Sequence, residues 1–255
     1  MLDASVLPPL TLVLLVFGVA FFYSSVGFGG ASGYLAAMSL FAIPVQVMAS
    51  TALMLNVLVA TLAFVAYSRA GHFSIRLLLP FLIGSVPTAF LGGYLPLTDT
   101  TYFLLLNGAL LYVGLRLVLN WGGSAGDGRR TTPAPILIMM LVGAGIGLLS
   151  GMLGLGGGIF LSPLIVLTRW GEPKQAAATS AGFIVINSVS GILGRMAGDT
   201  LVIGWLGVGL LPAGLLGGML GSRIGANYLS GLNVRRLLGM ILLLTVLRYG
   251  VSLFM

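Results

Sequence analysis

The sequence has no cysteine, one histidine and few charged residues, and each shortage excludes a class of function. Without cysteine the 255 residues can form no disulfide, iron–sulfur centre or thiol nucleophile. Because His72 is the single histidine, a His-based metal site is not expected, and no cofactor is predicted. Charged residues make up only 7% of the chain, and no linker-like stretch is long enough for a nucleotide-binding domain. ATP-driven transport by this chain alone is therefore not expected.

Apolar residues take the place of the missing charges. Hydrophobic residues make up 58% of the chain, and the mean hydropathy of +1.12 exceeds that of water-soluble domains. The net charge of +7 does not indicate nucleic-acid binding, because basic residues of a polytopic protein mark its cytoplasmic loops. No Lys or Arg precedes the first apolar run, so no cleavable signal peptide is predicted. The chain is predicted to be a multi-pass membrane protein with no nucleic-acid partner.

A glycine-rich stretch occurs twice. Gly27-Phe-Gly-Gly-Ala-Ser-Gly33 returns as Gly154-Leu-Gly-Gly-Gly-Ile-Phe160, about half a chain later and again inside an apolar segment. A run of glycines breaks a helix and exposes backbone N–H and C=O groups that lipid cannot satisfy. Two such breaks at corresponding places in two halves point to the binding site of a transporter.

Further motifs repeat in the same order along the chain. Pro44-Val-Gln46 matches Pro173-Lys-Gln175, and Ser50-Thr51 matches Thr179-Ser180. Such repetition predicts an internal duplication. The predicted boundaries are repeat 1 over residues 1–120, a linker loop over 121–135 and repeat 2 over 136–255.

The piece that follows each glycine break is short. Ser32 to Ile43 has twelve residues, or roughly 18 Å of helix, against a hydrocarbon core of about 30 Å. It is either part of one broken crossing or the returning arm of a re-entrant hairpin. The hairpin interpretation puts ten basic residues on one side and two, Arg195 and Arg248, on the other, whereas a single crossing gives seven to five. The positive-inside rule favours the hairpin.

The predicted fold is an all-α polytopic membrane protein built from two inverted repeats. Each repeat is a glycine-rich re-entrant or broken helical hairpin plus three transmembrane helices, or about eight membrane segments in all by conventional counting. An odd number of crossings per half inverts the second repeat relative to the first. Both termini are then expected on the periplasmic side of a bacterial inner membrane.

The two glycine tips are predicted to meet near the membrane midplane and to hold an anion. The short helices after the tips begin with unpaired N–H groups and the positive end of a helix dipole. Neutral polar residues nearby and one arginine complete the candidate set, and no catalytic or metal-binding residue is predicted. The candidate substrate-binding residues are Gly29, Gly30, Ser32, Gln46, Ser50, Thr51, Asn56, Gly156, Gly157, Gly158, Gln175, Thr179, Ser180, Asn187 and Arg195.

Each of these residues also has a purely structural interpretation. Glycine permits tight helix packing, and Ser, Thr, Asn and Gln form interhelical hydrogen bonds. Arg195 is interpreted first as a snorkelling residue at a helix end and second as an attractor of anions from outside. No carboxylate lies well inside a predicted span, which disfavours a proton relay through a buried carboxylate.

Two enzyme-like motifs are discounted. The Gly154 stretch resembles a phosphate or dinucleotide loop, but no strand precedes it. Gly30-Ala-Ser-Gly33 resembles the nucleophile motif of a rhomboid-type intramembrane serine protease, which needs a histidine in the membrane. Because His72 lies in a charged loop, the protease is only a remote alternative, and the chain is not expected to be an enzyme.

The glycine break followed by Pro, Gln and a small polar helix start, twice over, resembles the TauE/SafE sulfite exporter family. The resemblance covers nearly the whole chain and is closest at Gly147-Leu-Leu-Ser-Gly-Met-Leu-Gly-Leu-Gly-Gly-Gly-Ile-Phe-Leu-Ser-Pro163. The first copy departs from the family pattern, with Ala31-Ser-Gly33 in place of a glycine run. The resemblance implies an inner-membrane carrier for small anions such as sulfite, sulfonates or sulfoacetate-like compounds.

Residues and resemblance together predict a secondary transporter that exports a small sulfur-containing anion by alternating access. One repeat is expected to rock against the other. An anion-selective channel of the same architecture is the alternative. The expected partners are the organosulfur or sulfur oxyanion substrate and the lipid bilayer, with uniport, H⁺ coupling and Na⁺ coupling all left open.

Overall fold

The computed structural model describes residues 7–95, 97–118 and 135–228, and every regular element in these ranges is a helix. Nearly all of the predicted linker lies outside the described residues, as does the end of predicted repeat 2, where the apolar run Leu237 to Phe254 predicts a further membrane segment. The helices are α1 (Leu10–Ser24), α2 (Ala31–Ser39), α3 (Val45–Arg69), α4 (Ile75–Tyr94), α5 (Asp99–Val118), α6 (Ile136–Leu153), α7 (Gly158–Leu167), α8 (Pro173–Ala197) and α9 (Trp205–Tyr228).

Five helices in the described ranges are long and apolar enough to cross a membrane. They are α3, α4, α6, α8 and the part of α9 from Trp205 to Gly225. Helices α2 and α7 have nine and ten residues, so at about 1.5 Å per residue they are too short to span. The prediction of an all-helical multi-pass membrane protein is confirmed.

Helices α1, α3 and α9 run in one direction. Later residues of α1 contact later residues of α9, and the same holds for α3 and α9, so these helices are parallel. The pairs are Phe17 with Gly217, Phe21 with Gly221, Thr51 with Gly207 and Leu62 with Gly218. Because α1 and α3 are parallel, α2 leads the chain back to the end of the bundle where α1 began.

Helices α4, α6 and α8 run in the opposite direction. Their contacts show in the same way that they are parallel to one another. Helix α4 contacts α6 through the pairs Ser85–Gly147 and Ala89–Gly151, and it contacts α8 through the pairs Leu78–Gly182 and Phe90–Gly194. Between α3 and α8 the register is reversed, because Phe64 lies at Gly182 whereas Leu53 lies at Gly191. Helix α7 accordingly leads back from the end of α6 to the start of α8.

The two antiparallel helices α3 and α8 form the centre of the bundle. Their membrane windows are 67% and 72% buried, whereas those of the other three candidate spans are between 33% and 50% buried. Both helices carry polar side chains with no exposed surface, among them Asn56, Thr179 and Ser180. These side chains therefore face protein and not lipid.

The closest packing joins the first half of the chain to the second. Helix α4 packs on α6 and α8, and α9 packs on α1 and α3. At the α4–α6 contact, a Cβ on Gly151 would overlap the carbonyl oxygen of Ala89 and lie 2.8 Å from the nitrogen of Gly93. The hydroxyl of Thr88 donates across the same contact to the carbonyl of Ala144 at 2.8 Å. Glycine thus lets two backbones touch, as in small-residue helix pairs of membranes.

Basic residues collect at one end of the bundle, which we call the basic end. Helices α3 and α9 finish there, and α4 and α8 begin there, because the two sets run in opposite directions. Arg69, Arg76, Arg169, Lys174 and Arg223 all lie at this end. Arg195, near the last turn of α8, lies at the opposite end.

The packing of α4 on α6 predicts that Gly151→Ala destabilises the protein. The added methyl group forces the two backbones apart, which costs about 1–3 kcal/mol. Gly145→Ala is the matched control on the same helix, since nothing lies within 4 Å of its Cβ position. Thermal unfolding in detergent should show a lower midpoint for Gly151→Ala alone; equal midpoints for the two variants would contradict this packing.

Candidate functional site

The two glycine-rich breaks share left-handed backbone at two pairs of equivalent positions and differ at a third, where Gly156 has φ of 70° and Gly29 is not left-handed. Gly27 and Gly154 have φ of 82° and 77°, and Gly30 and Gly157 have φ of 96° and 77°, each pair 127 positions apart. These left-handed conformations favour glycine because a Cβ would be strained there. Gly30 and Gly157 are also the residues that precede the first turns of α2 and α7. Each break therefore ends in a short helix whose first N–H groups point toward the tip.

The two tips meet at one side chain of α3 and one of α8. A Cβ on Gly29 would overlap Asn56 Oδ1 and lie 3.1 Å from Ile184 Cγ2. A Cβ on Gly156 would lie 2.6 Å from Asn56 Nδ2 and 2.8 Å from Ile184 Cγ2. The Asn56 amide therefore lies between the two tips, with one polar atom near each glycine.

Several polar atoms around the tips are buried without a hydrogen-bond partner. Both polar atoms of the Asn56 amide lack a partner. The Ser188 hydroxyl, 3.0 Å from the Gly156 Cβ position, also lacks one, and so does the Tyr34 hydroxyl, 2.7 Å from the Gly30 Cβ position. The same is true of the hydroxyls of Ser150, Thr179 and Ser180 and of Asn187 Oδ1. Leaving such a group unpaired costs about 1–3 kcal/mol, so buried polar groups normally have a partner. A polar ligand or water between the tips would supply these partners.

A cavity of about 10 Å³ lies against the first tip. Its polar side is formed by Ser32 and Tyr23, whose hydroxyl oxygens are 2.9 Å apart. Its apolar side is formed by Phe28, Leu155, Ile159 and Ile184. The volume holds about one water molecule. An oxyanion with several oxygens can enter only if the tips separate.

The structure brings about half of the predicted site residues together. Gly29, Gly30 and Ser32 of the first tip, Asn56, and Gly156, Gly157 and Gly158 of the second tip lie around the contact just described. Ser180 lies beside the second tip, since its carbonyl oxygen is 2.8 Å from the Gly158 Cβ position. Asn187 lies one turn beyond Ile184, and its Nδ2 donates to the carbonyl of Phe183 at 2.9 Å.

Other predicted residues lie against different parts of the protein. Gln46 is exposed at the start of α3, and Gln175 Oε1 accepts a hydrogen bond from the Glu172 N–H at 3.1 Å at the start of α8. Ser50 Oγ accepts from the Val202 N–H at 3.2 Å, and Thr51 packs on Gly207 of α9. Gln175, Ser50 and Thr51 therefore hold a helix end or a helix contact in the described conformation, and Gln46 is at the surface.

Arg195 does not snorkel, contrary to the first interpretation of its sequence position. Its side chain is 6% exposed, and Nη2 donates to the carbonyls of Gly151 and Met152 at 3.2 and 2.9 Å. Tyr102 donates to the next carbonyl, that of Leu153, at 3.0 Å. A cation at the C-terminal end of a helix is favoured by the helix dipole. Arg195 therefore caps α6 directly before the second tip.

The first repeat has a neutral donor in the equivalent place. Tyr67 Oη donates to the carbonyl of Ser25 at 3.2 Å. Tyr67 lies 128 positions before Arg195, and Ser25 lies 127 positions before Met152. The same backbone position is therefore capped by a phenol in one half and by a guanidinium in the other. An offset of 128 residues between the two halves also pairs Thr51 with Thr179. The comparison of the sequences alone pairs Thr51 with Ser180, one residue further along.

Sequence reasoning missed Tyr23, Tyr34, Ile184 and Ser188. One signal for part of this set was present, because Ser180, Ile184 and Ser188 are spaced by four residues and share a helix face. Tyr34 had no such signal, since its position depends on how α2 folds back on its own tip. Within the described residues no group of three or more metal-ligating side chains occurs.

Comparison with known families identifies one match over nearly the whole chain. The family model described as "Sulfite exporter TauE/SafE" matches residues 12–249. A relative from Sinorhizobium fredii, the probable membrane transporter protein y4hK, is 34% identical over 245 residues, which is 93% of this chain and 96% of the relative.

Two further relatives match shorter parts. The probable membrane transporter protein YunE of Bacillus subtilis is 35% identical over 80 residues, covering 31% of this chain and 29% of its own length. The probable membrane transporter protein MJ0441 of Methanocaldococcus jannaschii is 34% identical over 61 residues, covering 24% and 22%. No solved structure matches the chain.

The conformation of the second tip predicts that Gly157→Ala disrupts it. The variant strains a residue at φ 77° and brings a methyl group within 2.9 Å of the Phe183 ring. We expect transport to fall about five- to thirty-fold, because backbone strain of about 1–2 kcal/mol is added at the tip.

Gly71→Ala is the matched control for this strain. Gly71 has φ 81° with nothing within 4 Å of its Cβ position, and it lies in the loop between α3 and α4. Flux into proteoliposomes should be near the parent's for Gly71→Ala and strongly reduced for Gly157→Ala. Equal flux in both variants would show that the tip conformation does not matter for transport.

Proposed function

The chain belongs to the TauE/SafE sulfite exporter family, and from this membership and the geometry of the tips we propose that it is a secondary carrier. It exports a small sulfur-containing anion, such as sulfite, a sulfonate or a sulfoacetate-like compound, by alternating access. The observation that carries the proposal is the Asn56 amide, buried between two glycine tips with both polar atoms unpartnered. Family and relatives describe transport and no catalysis.

The anion is held mainly by neutral donors. The first N–H groups of α2 and α7 approach the site from opposite tips, and each carries the positive end of a helix dipole. Asn56 Nδ2 and the Ser188 hydroxyl add side-chain donors at the point where the tips meet. Glycine at both tips keeps the backbone N–H groups close enough to reach the ligand.

Two inverted repeats would give this site access from either side. Equivalent helices run in opposite directions, α3 against α8 and α1 against α6, which supports the inverted arrangement. Basic residues at one end support a cytoplasmic position for that end. The inside-negative potential then favours anion exit by about 2.3 kcal/mol per charge per 100 mV. Uniport needs no coupling ion, and H⁺ or Na⁺ coupling would have to use the same neutral groups.

The packing does not favour rocking of one whole repeat against the other. Such a motion would separate α4 from α6 and α1 from α9, where glycines bring backbone against backbone. The moving bodies we propose instead contain helices from both halves: α1 with α9, and α4 with α6 and α8. We assign the described conformation to the occluded state of this cycle, and the small cavity at the first tip, which holds about one water molecule, supports that assignment.

The proposed site predicts that Asn56→Leu weakens anion binding. Loss of a buried hydrogen-bond partner costs about 1–3 kcal/mol, or roughly five- to a hundred-fold in affinity. Asn107→Leu is the matched control, because the Asn107 amide donates to Phe103 within its own helix α5. Calorimetric titration with sulfite, sulfoacetate, sulfate and acetate should show the loss for Asn56→Leu only. Unchanged titrations for a folded Asn56→Leu would overturn the site.

The proposed topology predicts which ends can be labelled from outside the cell. Because the chain has no cysteine, single cysteines can be placed at the exposed Ala70 and Asp199, at the basic end and the opposite end. A membrane-impermeant maleimide added to intact cells should label Asp199→Cys, and should label Ala70→Cys only after permeabilisation. The reverse pattern would contradict the orientation, and labelling of both from outside would contradict the inverted arrangement.

A further inference from the structure

A long groove follows α3 and α9 on the outer surface of the bundle, and Val189, Ile192 and Leu193 of α8 form part of the wall of its middle section. Its middle section is a cavity of about 730 Å³ with entirely apolar walls. Its upper section, toward the basic end, is a cavity of about 500 Å³. The α3–α9 groove is lined in the middle section by Met54, Val57, Leu58, Val208, Leu211 and Leu215, and in the upper section by Thr61, Val65, Arg69, Met219, Ser222 and Arg223.

The two sections form one continuous groove. The lining residues of α3 recur at intervals of three and four positions from Met54 to Arg69, which places them on one helix face. Those of α9 do the same from Val208 to Arg223, and the two helices are parallel. Fifteen residues of helix extend about 22 Å. This length exceeds half of a hydrocarbon core of about 30 Å, so the groove spans one leaflet and reaches its headgroups.

The chemistry of the walls changes along the groove. The middle section offers only aliphatic side chains and Met54. The hydroxyls of Thr61 and Ser222 are bonded to carbonyls of their own helices, those of Val57 and Met219. Two arginines, both exposed, stand at the basic end, and none of the lining residues is acidic. A fitting ligand therefore has a long apolar part and an anionic head.

We propose that the α3–α9 groove binds one anionic phospholipid. An acyl chain occupies the apolar middle section, and the phosphate lies between Arg69 and Arg223 at the basic end. A small soluble anion would leave the apolar middle section unfilled. A zwitterionic lipid would place its positively charged headgroup beside the two arginines, which would repel it. The membrane surrounding the protein supplies anionic lipid at high local concentration.

The position of the lipid gives it a means to influence transport. Helix α9 meets α3 through side chains, with Gly207 on Thr51 Oγ1 and Gly218 on Leu62 Cδ1, whereas Gly194 of α8 touches the backbone of Phe90 on α4. At these glycines the α3–α9 seam is thus formed by side chains and not by touching backbones, and it borders the proposed moving body of α1 and α9. This consequence for rate rests on the proposed function; the binding of lipid does not.

A quenching experiment tests the binding. A fluorophore is attached to Val65→Cys, a position 40% exposed in the upper section, and the protein is placed in nanodiscs. Brominated phosphatidylglycerol in a phosphatidylcholine background should quench the fluorophore at far lower mole fraction than brominated phosphatidylcholine. Removing both charges with Arg69→Gln and Arg223→Gln should reduce this preference about thirty-fold.

Two controls keep the result interpretable. Arg76→Gln removes a charge at the same end but outside the groove, and it should leave the preference intact. Leu215→Trp fills the middle section and should prevent quenching by either lipid while anion binding at the tips persists. Equal quenching by both lipids in the parent protein would overturn the proposal. Displacement of the bound lipid by free sulfite or phosphate would also overturn it, and would assign the arginines to a soluble anion.

Discussion

A backbone polar group in hydrocarbon must find its partner inside the protein, and the arrangement of this bundle follows from that constraint. The breaks around Gly27–Gly30 and Gly154–Gly157 interrupt two helices and release several N–H and C=O groups at once. The released carbonyls at the end of α6 are met by Arg195 and Tyr102, and that of Ser25 after α1 is met by Tyr67. The N–H groups that begin α2 and α7 point instead toward the polar centre of α3 and α8. The carbonyl ends are thus satisfied by the protein, and we propose that the amide ends receive the ligand.

Glycine serves this bundle in two different ways. At the tips it permits left-handed backbone and close approach of a ligand, as at Gly30 and Gly157. Along α4, α6 and α9 it has ordinary helical geometry and allows backbones to touch, as at Gly151 and Gly221. The second use packs each half of the chain closely against the other, and for this reason the moving bodies that we propose combine helices from both halves. The α3–α9 seam lacks such backbone contacts at Gly207 and Gly218, which is why motion and lipid are both placed there.

The fold was predictable from sequence wherever a local pattern decided it. Helix α6 coincides with the apolar run Ile136 to Leu153 before the second glycine break, and α1 ends at Ser24, shortly before Gly27 of the first break. Asn56 and the tip glycines were predicted because polar residues and breaks are rare in such an apolar chain. Ser188 was missed, and Gln46 and Gln175 were included, because only the crossing of α3 and α8 decides which of their polar residues face the tips. Tyr34 was missed because its position depends on how α2 folds back on its own tip. Arg195 was misread because nothing local shows that the end of α6, more than forty residues earlier, lies beside it.

The central claim is that a small oxyanion binds between the two tips at Asn56. Selenite, which has the shape and charge of sulfite, can be located by the anomalous scattering of selenium in a crystal of the protein. We expect one strong selenium peak between Gly29 and Gly156, with the selenite oxygens about 3 Å from the Asn56 amide and from the first N–H groups of α2 and α7. A strong peak at the Arg195 guanidinium or at Arg69 and Arg223, with none between Gly29 and Gly156, would contradict the account.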